Sequence, residues 1–241
     1  MNILILLAAL LPALLLFLYI WKKDPQKEPL SQLVKAILWG MGICIPVAFF
    51  ELAIRATLFP DGAPSTLLGT TLQAFLVAAL PEETFKLLVL WWVLRKNPYF
   101  DEHFDGIVYA VCVGLGFAAI ENIAYIFGAG DWVSVAITRS LLAVPGHYAF
   151  AVLMGYYYSV YHFVDDSPKV AISILLIPFV LHGIYDALAM SGIVNPYIDS
   201  ICFFILIFFC IRMHKKARNK VLALVEKDNH VSTSARKNNV S

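Results

Sequence analysis

The stretch Pro81-Glu82-Glu83-Thr84-Phe85-Lys86 (PEETFK) places two glutamates and a lysine within five residues, between STLLGTTLQAFLVAAL (65–80) and LLVLWWVL (87–94). The flanks have the composition of a segment that lives in lipid, where an unpaired charge is expensive. A chain that keeps such charges there must give them partners.

The rest of the chain supports that setting. Of its 241 residues, 60% are hydrophobic and only 15% charged, and the mean hydropathy is +0.75. A soluble domain carries about a quarter charged residues, so the balance points to an integral membrane protein. The formal net charge of +1 gives no reason to expect a nucleic-acid partner. Cys44, Cys112, Cys202 and Cys210 all fall in apolar runs without metal-ligand spacing, and read as packing residues.

Since a helix needs about 20 apolar residues to span a bilayer, the sequence predicts an all-α, polytopic fold with about seven transmembrane helices. These lie near 2–21, 33–53, 67–94, 107–127, 132–162, 169–190 and 195–211. The third and fifth exceed a perpendicular span and contain Pro81 and Pro145, so tilt, a kink or a break is expected in both. The first lacks a basic start and a small-residue cleavage site, which reads as a retained helix rather than a signal peptide.

Lysines and arginines collect in alternate loops: Lys22, Lys23, Lys27 and Lys35, then Arg95 and Lys96, then Lys169, then Arg212, Lys215, Lys216 and Arg218. The opposite loops hold Arg55. This asymmetry puts the amino terminus outside and the carboxyl terminus in the cytoplasm. Residues 1–211 form the membrane unit. Residues 212–241 read as a basic, disordered cytoplasmic tail.

Three further spans carry polar groups: GFAAIEN (116–122), Arg139 followed by PGHYAF (145–150), and LHGIYDAL (181–188). With Glu82, Glu83, Lys86, Glu121, Arg139 and Asp186 all unpartnered, the insertion cost would reach on the order of 15 kcal/mol, as large as the stability of many domains. They must meet one another or water. Glu82 and Lys86 share a helix face, as do Glu83 and Lys86, and His182 and Asp186. Ala110, Gly114, Ala118 and Asn122 make a small-residue stripe suited to close helix contact, with Glu121 at its edge.

Plainer readings stand beside these. His147 by itself reads as a hydrogen-bonded interior residue, and His182 with Asp186 as a structural clasp. Two adjacent carboxylates in an apolar helix are harder to treat so, because like charges this close favour one protonated and one ionised member, the starting condition for acid–base chemistry. The turn YFDEHFDG (99–106) reads as a metal loop or, more plainly, as a solvated turn with Asp105 capping the fourth helix. The tyrosines at 156, 157, 158 and 161 read as an interfacial belt.

EETFK, FAAIE, the intramembrane His147 and HGIYD, in that order and on those helices, resemble the motifs of the PrsW family of intramembrane proteases. FDEHFDGIVY is also similar to that family's loop. The wider superfamily includes CAAX prenyl proteases and Abi-type proteins, which share paired glutamates and downstream histidines. The resemblance implies a peptidase in the bacterial cell membrane that cleaves a single-span membrane protein, an anti-sigma factor, as the first cut of a regulated cascade.

Peptide hydrolysis needs an activated water, a proton for the leaving amine and a stabilised oxyanion. Here Glu82 would act as general base, with Glu83 and Lys86 setting its charge and position. His147 or His182 would serve the oxyanion or deliver a proton, Asp186 would orient His182, and Glu121 and Asn122 would hold the water. A zinc form would use His147, His182 and either Glu121 or Asp186 as ligands, with Glu82 as base. The metal-free form is the preferred expectation. A proton-coupled transporter is the alternative from another class, although no inverted repeat is visible.

Overall fold

A computed structural model describes residues 3–191 and 196–238, with the backbone alone for 196–200 and 229–238. The described residues form α1 (Ile3–Lys23), α2 (Leu30–Gly42), α3 (Cys44–Leu58), α4 (Leu67–Leu72), α5 (Leu80–Leu94), α6 (Asp105–Gly128), α7 (Trp132–Thr138), α8 (Val144–Phe163), α9 (Pro168–Ala189) and α10 (Pro196–Asn238). Among the described residues there is no strand.

Among the described residues, five helical stretches are long and apolar enough to cross a membrane: Ile3–Lys23, Leu30–Leu58, Asp105–Gly128, Trp132–Phe163 and Pro168–Ala189. The stretch 67–94 is also helical throughout, but it carries Glu82, Glu83 and Lys86 in its middle. Residue 195, where the seventh predicted span begins, lies outside the described residues.

Both long spans hold their prolines without breaking. A π-helical segment, Gln73–Ala79, joins α4 to α5 just before Pro81, and a second, Arg139–Ala143, joins α7 to α8 just before Pro145. Proline lacks an N–H, and its ring crowds the carbonyl four residues back. A wider turn ahead of each proline removes that crowding and re-aims the helix that follows. Pro46 does less: α2 and α3 meet at Ile43 within one apolar run, and Pro46 falls in the first turn of α3, where the missing N–H costs little.

At the centre stands α6, whose residues from Asp105 to Ala119 are all buried. It packs along α8, α2, α1 and α5. The small-residue stripe allows the close helix contact expected of it, here with α8: a Cβ on Gly114 would lie 2.7 Å from Ala151 Cβ, and one on Gly155 would lie 2.3 Å from the Gly106 carbonyl oxygen.

Two loop expectations change. The tail does not part from the fold at residue 211, because α10 continues to Asn238 and buries Met213, Ala217, Val221, Leu224 and Asp228, spaced three or four apart on one face. Nor is the turn before α6 solvated, since Glu102, Phe104 and Asp105 are buried. Asp105 Oδ2 accepts from the amides of Asp101 and Glu102, closing the turn ahead of the helix. No side chain caps α6 at Phe104; Asp228 of α10 instead binds the turn ahead of it, accepting from the amides of His103 and Phe104.

Candidate active site

Four helices deliver the polar groups to one place. Leaving the first π segment, α5 turns Glu82, Glu83 and Lys86 inward from its first two turns, and all three are buried. Lys86 Nζ donates to Glu82 Oε2 at 3.0 Å and Glu83 Oε1 at 2.8 Å, and lies 3.2 Å from His147 Nδ1. The ammonium also sits 4.3 Å from the centre of the Phe117 ring. One cation thus serves two carboxylates in a space where neither charge is tolerable alone.

The imidazole of His147, on α8, bridges inward and outward. Its Nδ1 faces Lys86, and its Nε2 lies 2.7 Å from Glu121 Oε2 on α6. Glu121 Oε2 also accepts from Arg139 Nη2 at 2.8 Å, while Arg139 Nε donates to Asn122 Oδ1 at 2.9 Å. Asn122 Nδ2 in turn donates to the Ala9 carbonyl of α1 at 2.8 Å. Arg139 belongs to the second π segment, so the same wide turn that accommodates Pro145 brings a guanidinium to Glu121. The Tyr125 ring lies 4.0 Å from that guanidinium.

On α9, His182 places Nδ1 2.8 Å from Glu83 Oε1 and Nε2 3.2 Å from Asp186 Oδ2. The Phe150 ring stacks on it with centroids 4.7 Å apart, fixing its plane. The two imidazoles stand edge to face, 5.2 Å apart. Glu82 Oε2 lies 4.0 Å from both His147 Nδ1 and His182 Nε2.

A cavity of about 470 Å³ opens onto this network. Glu82, Glu121, His147, His182 and Asp186 line it, whereas Glu83 and Lys86 do not. The adjacent glutamates are therefore unequal: Glu82 meets the space where a substrate fits, and Glu83, fully buried, stands behind it with Oε2 unpartnered. All seven predicted site residues belong to one connected network.

The arrangement differs from the ligand set considered for zinc. One donor atom each from Glu82, Glu83, His147 and His182 lies within 4.8 Å of the others. Glu121 contacts His147 Nε2, and Asp186 contacts His182 Nε2. Nitrogen and carboxylate donors with a carboxylate on each imidazole suit zinc, so these residues fit that metal once it displaces the Lys86 ammonium from Glu82, Glu83 and His147. Reading the sequence alone left out Arg139, Glu51, Arg55, Gln73 and Tyr125 as neighbours of the site. Arg139 was visible as an intramembrane charge, and Glu51 with Arg55, four apart in an apolar run, gave a weaker signal. Arg55, expected in a loop, lies in the last turn of α3 and lines the cavity.

Comparisons with known proteins agree with the geometry. Residues 28–213 match the family described as PrsW family intramembrane metalloprotease. The chain is 36% identical over 183 residues to Protease PrsW of Oceanobacillus iheyensis, covering 76% of this chain and 81% of the relative. It is 36% identical over 186 residues to Protease PrsW of Geobacillus kaustophilus, covering 76% and 79%. To Protease PrsW of Bacillus subtilis it is 32% identical over 218 residues, covering 88% and 94%. No solved structure matches the chain.

Proposed function

The chain belongs to the PrsW family of intramembrane proteases and is a multi-pass bacterial membrane peptidase; we propose that it cleaves a single-span membrane protein, an anti-sigma factor, by water that Glu82 activates. The observation that carries this reading is the position of Glu82, the one member of the Glu82–Glu83–Lys86 group that lines the cavity shared with both histidines. The transporter alternative is set aside by the family.

In this reading a water in the cavity gives its proton to Glu82 as its oxygen bonds to the scissile carbonyl carbon. The carbonyl oxygen becomes an oxyanion, which His147 or His182 would stabilise by turning an N–H from its present carboxylate partner to the substrate. The C–N bond then breaks, and the proton held by Glu82 passes to the leaving amine. Lys86 keeps a positive charge beside Glu82 and Glu83. Arg139 holds Glu121 in place, Glu121 orients His147, and Asp186 orients His182.

Cleavage of a reconstituted anti-sigma factor tests the assignment. Glu82→Gln keeps the shape of the side chain and removes its basicity, so cleavage should fall by at least about 10²-fold. Undiminished cleavage by this variant would end the general-base role.

The four clustered donors support a second reading, in which His147 and His182 with Glu82 or Glu83 hold zinc. When bound, zinc would polarise the carbonyl and acidify the water. Elemental analysis of the purified protein separates the two readings. Substoichiometric zinc, with activity surviving chelation, supports the metal-free form. One zinc per chain, lost together with activity in His182→Ala, supports the other.

A further inference from the structure

Far from the protease site, the α1–α2 turn and the turn before α6 bring a second group of carboxylates together. One oxygen each from Asp24, Glu102 and Asp105 lies within 4.8 Å of the others. All three residues are at least nine-tenths buried: their exposures are 4%, 9% and 0%. Glu28, buried beside them, accepts from the Tyr109 hydroxyl.

Hydrogen bonds satisfy only part of this group. Glu102 Oε1 accepts from Gln26 Nε2, Asp24 accepts from the amides of Gln26 and Glu28, and Asp105 Oδ2 takes the two turn amides. Glu102 Oε2 and Asp105 Oδ1 are buried and have no hydrogen-bond partner. Among the described residues, no lysine or arginine forms an ion pair with Asp24, Glu28, Glu102 or Asp105. Lys27, whose charge acts on Asp24, directs its ammonium to the Trp21 and Asp24 carbonyls. Buried anions without a counter-charge are not stable, so the group must gather a cation or protons.

We propose that Asp24, Glu102 and Asp105 form a binding site for a hard divalent cation that ties the α1–α2 turn to the turn before α6. The donors are all oxygen, which selects a calcium-like or magnesium-like ion over zinc. Oxygens that lie within 4.8 Å of one another are close enough to share one ion. Glu102 Oε2 and Asp105 Oδ1 supply free lone pairs. The turn before α6 is also the one that Asp228 of α10 clasps, so a cation here would fasten three elements at one end of the bundle.

The test uses the full chain, purified in detergent and stripped by chelator, then titrated separately with calcium, magnesium and manganese chloride. Calorimetry should show one saturable hard-cation site per chain, and the Tm should rise with metal concentration. Glu102→Gln and Asp24→Asn keep an oxygen for the hydrogen bonds they now receive, and each should weaken binding at least about tenfold and remove the Tm rise. Glu82→Gln should leave both unchanged, since the protease cluster is separate. No uptake and no Tm shift at millimolar metal would overturn the proposal, as would binding indifferent to Glu102→Gln and Asp24→Asn. So would binding lost in Glu82→Gln. A wild-type protein blind to metal and stabilised by Asp105→Asn would show that shared protons hold the group instead, and would refute the site without needing the other variants.

Discussion

Glu82 and Glu83 are neighbours in sequence with the same chemistry, and their surroundings divide the work between them. Glu82 shares Lys86 and faces the cavity, whereas Glu83 binds both Lys86 and His182 and has no exposure. Glu83→Ala should therefore depress both cleavage and Tm, because it leaves Lys86 and His182 short of an acceptor. Glu82→Gln should depress cleavage with little change in Tm. The contrast is sharpest for Lys86→Met, which abandons two buried carboxylates and should cost about 3–5 kcal/mol of stability, the usual penalty for breaking a buried ion pair. Thermal melts beside cleavage rates check all three. A Lys86→Met protein as stable as wild type would mean that the carboxylates are not held by that ammonium.

At the scale of the helices, the distances within the polar network depend on how closely α6 and α8 approach, since one carries Glu121 and the other His147. That approach rests on residues without side chains. A Cβ on Gly155 would meet the Gly106 carbonyl oxygen at 2.3 Å and Ile107 Cα at 2.7 Å, and backbone cannot swing aside as a side chain does. Gly155→Val should push the helices apart, lower stability by about 1–3 kcal/mol and weaken cleavage as His147 separates from Glu121. Gly128, at the end of α6, has nothing within 4 Å of an added Cβ. Gly128→Ala should be silent in both assays. Equal effects of the two substitutions would show that close packing at Gly155 does not set the site. The π segments act on the same scale: each sits one turn ahead of side chains of the buried network, so the prolines aim helices as much as they interrupt them.

For the molecule in its membrane, the question is the depth of the site. Asn122, bonded within the network, reaches the carbonyl of Ala9 in α1. At 1.5 Å per residue, Ala9 lies roughly 9 Å from the start of α1 at Ile3 and about 21 Å from Lys23 at its other end. The network is thus nearer the amino-terminal end of α1, the end that the lysine and arginine asymmetry puts outside. The substrate should be cut in its extracytoplasmic juxtamembrane region or the outer part of its span, and mass spectrometry of the released fragment reads this directly. A cut on the cytoplasmic side would show the depth or the orientation to be wrong. Reporters after Lys220 and near Gly62 check the orientation independently, with the first expected inside and the second outside.

Much of this was legible in one dimension. Lipid penalises charge, so every ionisable residue inside an apolar run had to face protein, and the four polar helices could be named from sequence alone. The same penalty set the long helical runs, and the covalent geometry of proline marked where two of them change course. Which way each helix is rotated about its axis is a property of packing. Only the tertiary structure could separate Glu82 from Glu83, place Glu121 and Asp186 against the imidazoles, and give Arg139 its part. The far end of the bundle makes the same point: Asp228 binds His103 across 125 residues. The carboxylates of two short turns become one buried group there only because α6 brings those turns together. Local sequence fixes what a residue can do and whether lipid will accept it, while contacts between distant segments decide which neighbour it meets.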